Sequence, residues 1–275
     1  MLYIENPSSV TIIYSFFASV TIQQRYLLLL NKKNKKNMKK LGLVGGISWA
    51  STLDYYRLLN EGINQQLGGL NFAECIIYSV NFNHFQQFNA EYDWDATFEL
   101  LYNAAENLKK SGAEAIVLCA NTAHIVADRI EEQIGLPLIH ITTATANAVK
   151  RKGLKKIGLL GTSYTMELDF YKDKLIEGGL ESLIPERSED RDYIEDILRN
   201  ELSRGIINPE TKKNYLKIIQ ELIDRGAEGI ILGCTEIPLL IKQEDVAVPV
   251  FDTIQIHVDA AVTFAVSNQN ITVNS

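Results

Sequence analysis

The segment Gly112-Ala113-Glu114-Ala115-Ile116-Val117-Leu118 returns as Gly226-Ala227-Glu228-Gly229-Ile230-Ile231-Leu232, 114 residues further along. Two more pairs recur at nearly the same interval. Lys39-Lys40-Leu41-Gly42-Leu43-Val44-Gly45-Gly46 matches Lys155-Lys156-Ile157-Gly158-Leu159-Leu160-Gly161-Thr162, and Leu136-Pro137-Leu138 matches Val248-Pro249-Val250. A chain with three such pairs in the same order carries one plan twice. Each copy alternates short apolar runs with longer amphipathic segments, which is the pattern of β-α units around a mainly parallel sheet. The expected fold is α/β: two pseudo-symmetric lobes, each a mainly parallel sheet flanked by helices. The active site is then expected in the cleft between them, where strand C-termini and helix N-termini meet.

The boundaries follow from the repeat. Residues 38–148 are expected to form the first lobe and 149–250 the second, with the C-terminal helix, within about 251–275, packing back on the first. After the opening strand, Leu53, Tyr56, Leu59 and Ile63 are spaced for one helix face. Phe98, Leu101, Ala105 and Leu108 mark another helix, closed by Gly112 in the left-handed region. Residues 1–37 stand apart. Their apolar patches between Val10 and Leu30 are broken by Gln23, Gln24 and Arg25, and the lysines follow the apolar stretch, so the order fits neither a membrane span nor a secretory leader. Met38-Lys39-Lys40, directly before the first strand, is the expected start of the native chain, with 1–37 an N-terminal extension or disordered tail.

A chain of 275 residues with net charge −7 has the length for two cores but lacks the clustered basic surface that nucleic acid or an anionic membrane would require. A small molecule is the expected partner. Three cysteines, Cys75, Cys119 and Cys234, form no C-x-x-C pair and no zinc-type spacing. Neither disulfides nor a metal are expected, and the setting that fits is the reducing cytoplasm. Cys75 lies in an apolar strand-like run and reads as inert.

Cys234 is different. It follows the apolar run Gly229–Leu232 inside Gly233-Cys234-Thr235-Glu236-Ile237-Pro238, at a strand-to-helix corner. The field of a helix N-terminus lowers a thiol's pKa, and free amides there hold anions. The turns at Gly46-Ile47-Ser48 and at Thr162 are small enough for a carboxylate to approach. Asn121, Thr122 and Thr235 either cap the helices that follow their strands or face the cleft. The Gly46 turn lacks the spacing of a dinucleotide or phosphate loop. His124, one turn into the next helix, reads as a helix-face residue.

Together, Gly45-Gly46-Ile47-Ser48-Trp49, Cys119-Ala120-Asn121-Thr122-Ala123-His124, Gly161-Thr162-Ser163-Tyr164-Thr165-Met166-Glu167 and Gly233-Cys234-Thr235-Glu236 resemble the cofactor-independent aspartate/glutamate racemase superfamily. The resemblance runs from about Met38 to Val266 and is nearer the aspartate and broad-specificity branch than glutamate racemase, whose second motif has G-C-T-H. It implies a cytoplasmic homodimeric isomerase that needs no cofactor. One thiolate removes the α-proton of an amino acid, and a second thiol returns a proton to the opposite face. It also brings forward Asn89 as a polar residue near substrate, while Arg57, by its nearness to the first turn, is the candidate cation for a side-chain carboxylate.

The family's first motif is C-N-T, and here Ala120 stands where that cysteine belongs. Several readings stay open: Cys119 replaces it after a local rearrangement, or Cys234 works alone on one face. A lyase that needs only one proton donor is a further reading, as is a paralogue that binds an amino acid without turning it over. Neighbouring side chains at a strand end point to opposite faces, which speaks against Cys119.

Overall fold

The computed structural model describes residues 38–267, so the expectations for 1–37, and for the chain beyond 267, fall outside the described residues. In chain order the elements are β1 (Leu41–Gly45), α1 (Trp49–Leu67), β2 (Cys75–Ser79), α2 (Phe82–Ala90), α3 (Trp94–Lys110), β3 (Ala115–Leu118), α4 (Ala127–Ile134), β4 (Leu138–Ile139) and α5 (Ile141–Arg151). The second half continues with β5 (Lys156–Gly161), α6 (Ser163–Glu167), α7 (Asp169–Glu177), β6 (Glu181–Leu183), α8 (Ser188–Asn200) and α9 (Pro209–Asp224). It closes with β7 (Ile230–Gly233), α10 (Ile237–Leu240), β8 (Val250–Asp252) and α11 (Thr253–Val266).

The first sheet has order β2-β1-β3-β4 and the second β6-β5-β7-β8, with every pairing parallel. The repeat in the sequence is therefore a repeat of topology. Strands β1, β3 and β7 are buried along their whole length, because helices cover both faces of a parallel sheet and leave no side for polar alternation. Each sheet packs its own apolar cluster: Val44, Ile116 and Leu118 against Phe98, Leu101 and Leu108 in one, Leu160, Ile230 and Leu232 against Ile218, Ile219 and Leu222 in the other.

The stripe read for α3 is buried throughout. The stripe read for α1 is rotated: Tyr55, Leu59 and Ile63 face inward, while Leu53 and Tyr56 are exposed. The reason lies in α11, which packs on α1 and α5 and presents His257 to Tyr55. The Tyr55 hydroxyl and His257 Nδ1 are 2.7 Å apart, and His257 Nε2 bonds the Ile139 carbonyl. A polar partner on the neighbouring helix thus selects the tyrosine that is buried. Lys39–Ser267 form one compact unit, and among the described residues no helix is long and apolar enough to cross a membrane.

Candidate active site

Leu118 at the end of β3 corresponds to Leu232 in β7, so Cys119 corresponds to Gly233 and Ala120 to Cys234. Both Ala120 and Cys234 line a cavity of about 550 Å³ between the two sheets. The same cavity is lined by Gly46, Ser48, Asn89, Asn121, Thr122, Thr162 and Thr235, which brings together the binding residues read from the sequence except Arg57. Cys119 is not among them. It is wholly buried, its sulfur 3.9 Å from the Val117 carbonyl, and burial pushes its thiol far above the ordinary range. The residue points to the core because strand alternation continues through it, and the rearrangement that would turn it toward the cleft is not present. The guanidinium of Arg57 is exposed, paired with Asp54 and Glu61, and does not line the cavity.

The first-lobe wall is shaped by the turn after β1. Gly46 has φ of +82°, and a Cβ there would collide with the Val80 backbone, so only glycine lets the chain pass so close to β2. Ser48 also has positive φ, at +64°, and its hydroxyl caps α1 by accepting from the Ser51 amide at 3.4 Å. Thr52 Oγ1 accepts the Gly46 amide at 2.9 Å and donates to the Ser48 carbonyl at 3.0 Å, which fixes the turn. Asn121 donates through Nδ2 to Thr253 Oγ1 at 3.0 Å, and Thr253 donates onward to the Leu232 carbonyl at 2.8 Å. That chain locks the amide and leaves Asn121 Oδ1, on a residue 4% exposed, with no hydrogen-bond partner among the described residues. An unsatisfied buried acceptor costs roughly 1–3 kcal/mol, so this side chain is held in place at a cost.

The lobes touch at the cavity's edges. Thr122 Oγ1 and Thr162 Oγ1 lie 3.2 Å apart, and the Tyr164 hydroxyl donates to the Asn89 carbonyl at 3.2 Å. Tyr164 also meets Tyr92 and Trp94 edge-on. Asn89 itself is nearly buried, and its Oδ1 accepts from Thr97 at 3.0 Å, so it contributes a rigid wall as well as a polar surface.

The titratable side chains that line the cavity are Tyr164, Glu195, Arg199, Cys234 and Glu236, all from the second lobe. Glu195 accepts from the Ser163 amide at 2.9 Å and pairs with Arg199 at 3.3 Å. Cys234 donates its S–H to Glu236 Oε2 at 3.0 Å, and Thr235 Oγ1 donates to the same oxygen at 2.7 Å. Burial first, then the Glu236 carboxylate, push the thiol well above the usual cysteine range. The lowering that the Glu236 amide contributes at the helix start is outweighed, because α10 has a single turn, too short for an appreciable dipole, and an anion sits beside the sulfur. His124 lies behind the first-lobe wall. It bonds the Ala120 carbonyl through Nδ1 at 2.9 Å and accepts the Ile141 amide at Nε2, and burial lowers its pKa to about 4. It supports Ala120 from behind and offers no base to the cleft. Among the described residues no cluster of three or more His, Cys, Asp or Glu is arranged to hold a metal.

Comparison with known proteins decides the ancestry of this cleft. Residues 44–261 match the Asp/Glu/Hydantoin racemase family. The chain belongs to that family. A Yersinia pestis protein assigned to the Asp/Glu racemases is 49% identical over 83% of this chain and all of that one, with a TM-score of 0.79. An aspartate racemase homologue from Pyrococcus horikoshii OT3 is 39% identical over 83% of this chain and 99% of its own, with a TM-score of 0.74. The broad specificity amino-acid racemase RacX of Bacillus subtilis is 24% identical over 78% of this chain and 92% of its own length. Within this racemase fold, sequence reasoning missed Glu195 and Arg199, which sit one turn apart on α8 and read as an ordinary solvent-facing ion pair. In the sequence Glu236 is only part of a motif, and nothing in its spacing announces the bond to sulfur.

Proposed function

We propose that the protein is a cofactor-independent amino-acid racemase or epimerase acting on aspartate, glutamate or a similar amino acid, with Cys234 as its single proton-transferring side chain. The observation that carries this reading is the pairing of Cys234 with Ala120 at equivalent strand ends across one cavity. An amino acid between them presents one face of its α-carbon to sulfur and the other to a methyl group. On the sulfur face a thiolate removes or a thiol returns the α-proton. On the other face only water can do so, and inversion is therefore slower than exchange.

Asn121, its amide held by Thr253, is a fixed polar wall of the site. The Ser48 hydroxyl, which accepts from the Ser51 amide and keeps its own proton, is available to the α-carboxylate, and one proton of the Thr122–Thr162 hydroxyl pair is free to join it. Arg199, whose side chain is 69% exposed, is the cation on the cavity wall and suits a second, distal carboxylate. Water exclusion between the lobes strengthens each of these interactions, which the weak acidity of an α-proton makes necessary.

The test is deuterium incorporation at Cα from D₂O, followed by NMR with L- and D-aspartate and L- and D-glutamate. Exchange in one enantiomer well ahead of racemisation, abolished in Cys234→Ala, is the expected result. No exchange with any amino acid overturns the reading. The wall on which all the titratable groups lie also suits a lyase that quenches a carbanion from one side, and turnover of a malonate-type acid without α-exchange selects that alternative.

A further inference from the structure

Glu236 is the cavity's carboxylate without a cation. Glu195 is neutralised by Arg199 at 3.3 Å, whereas Glu236 makes no ion pair among the described residues. It stands at the N-cap position of α10, where an acidic side chain commonly accepts from helix amides, yet it makes no capping bond. Its carboxylate is turned instead toward Cys234, and the thiol at 3.0 Å and the Thr235 hydroxyl at 2.7 Å both donate to Oε2. The groups that act on the sulfur are the Glu236 carboxylate beside it and Glu195 from α8, which oppose a thiolate, and the Glu236 amide, which favours one but is outweighed; Tyr215 from α9 also lies close. The cation on the same cavity wall, Arg199, is paired with Glu195. The resting sulfur is thus held as a thiol, the form that cannot remove a proton from carbon.

We infer that Glu236 is the counter-ion for the amine of the substrate, and that seating the ammonium on Glu236 releases Cys234 to ionise. This rests on the proposed function and deepens it by making the amine a trigger as well as a handle. The ammonium competes for the oxygen that now accepts the S–H bond and cancels the charge that opposes thiolate formation. Only the S–H bond breaks: sulfur keeps the electron pair and the proton passes to bulk water or buffer. Binding of an amino acid should therefore release a proton, and binding of the corresponding hydroxy acid should not.

Two measurements on the full chain decide the matter. In the first, which needs no ligand, alkylation of Cys234 by iodoacetamide is followed by peptide mass mapping across pH. Glu236→Gln should shift the profile down by about one pH unit, a roughly tenfold faster reaction at a fixed pH below the midpoint, and Glu236→Asp should restore the slower profile. An unchanged profile in Glu236→Gln overturns the inference. In the second, calorimetric titrations in phosphate and in Tris near pH 8 count the protons released on binding L-aspartate, D-aspartate or L-malate. Release with aspartate that vanishes with malate, in Glu236→Gln and in Cys234→Ala is the expected pattern. Equal release with malate, or release that survives in Cys234→Ala, overturns it. Cα exchange without amine-linked release would sink this inference and leave the racemase reading standing. Amine-linked release without exchange would do the reverse.

Discussion

Ala120→Cys should turn a one-sided site into a two-sided one. Ala120 is 9% exposed, lines the cavity, and occupies the place in the first lobe that Cys234 occupies in the second. Adding one sulfur at a position that opens into about 550 Å³ of space brings no overpacking. The missing contribution is that of a positioned general acid or base, about 10²–10⁴ in rate, or roughly 3–5 kcal/mol of barrier. The new thiol would replace a member of the apolar cluster that also holds Ile47, Val80 and Phe85, and such apolar surroundings raise a thiol's pKa. The gain should therefore fall near the lower figure, about a hundredfold. The assay is chiral chromatography of L- and D-aspartate and glutamate in D₂O, read together with deuterium at Cα. In the native protein, deuterium should enter one enantiomer without much inversion. In Ala120→Cys, inversion should approach the rate of exchange. If exchange through Cys234 persists while inversion in Ala120→Cys is no faster, then the methyl group is not what limits the opposite face.

Cys119→Ala should leave Cα exchange unchanged and lower stability by about 1–2 kcal/mol, because the residue is a wholly buried small apolar group; urea unfolding and the exchange assay check the two halves. Arg199→Gln should weaken aspartate by about fivefold, about 1 kcal/mol for an exposed pair, and leave alanine unaffected, as read by calorimetry. Burial lowers His124, His140 and His257 to about 4, 2 and 3, below the ordinary 6.5 of the unfolded chain. Below pH 6.5 the unfolded chain then binds protons that the native one refuses. Their contribution is intact above that pH and falls by about 4 kcal/mol per unit for the three together, down to about pH 4. Urea midpoints at pH 7, 6 and 5 that do not move would refute the neutral cluster.

The duplicated strand was enough to read two parallel sheets, because a buried strand must be apolar along its length and the repeat fixes its partner in the other half. The cleft was legible for a related reason. In an open parallel sheet the C-terminal strand ends are where loops converge, so Gly46, Ala120, Thr162 and Cys234 meet by topology alone. The rotation of α1 was not legible, since Tyr55 and Tyr56 are equally apolar by pattern and the choice depends on His257, some 200 residues away. The state of the thiol was not legible either. From spacing, Cys234 reads as a cysteine at a helix start, which favours thiolate; in the fold a one-turn helix offers little field and Glu236, two residues on, offers a full negative charge. At 3.0 Å in a half-buried site, that charge outweighs the partial charge of the helix end. The same comparison explains the chemistry assigned to the site. A free thiolate beside an empty pocket would be open to oxidation and alkylation, whereas a thiol that ionises only when an amine arrives is reactive only when there is an α-proton to remove.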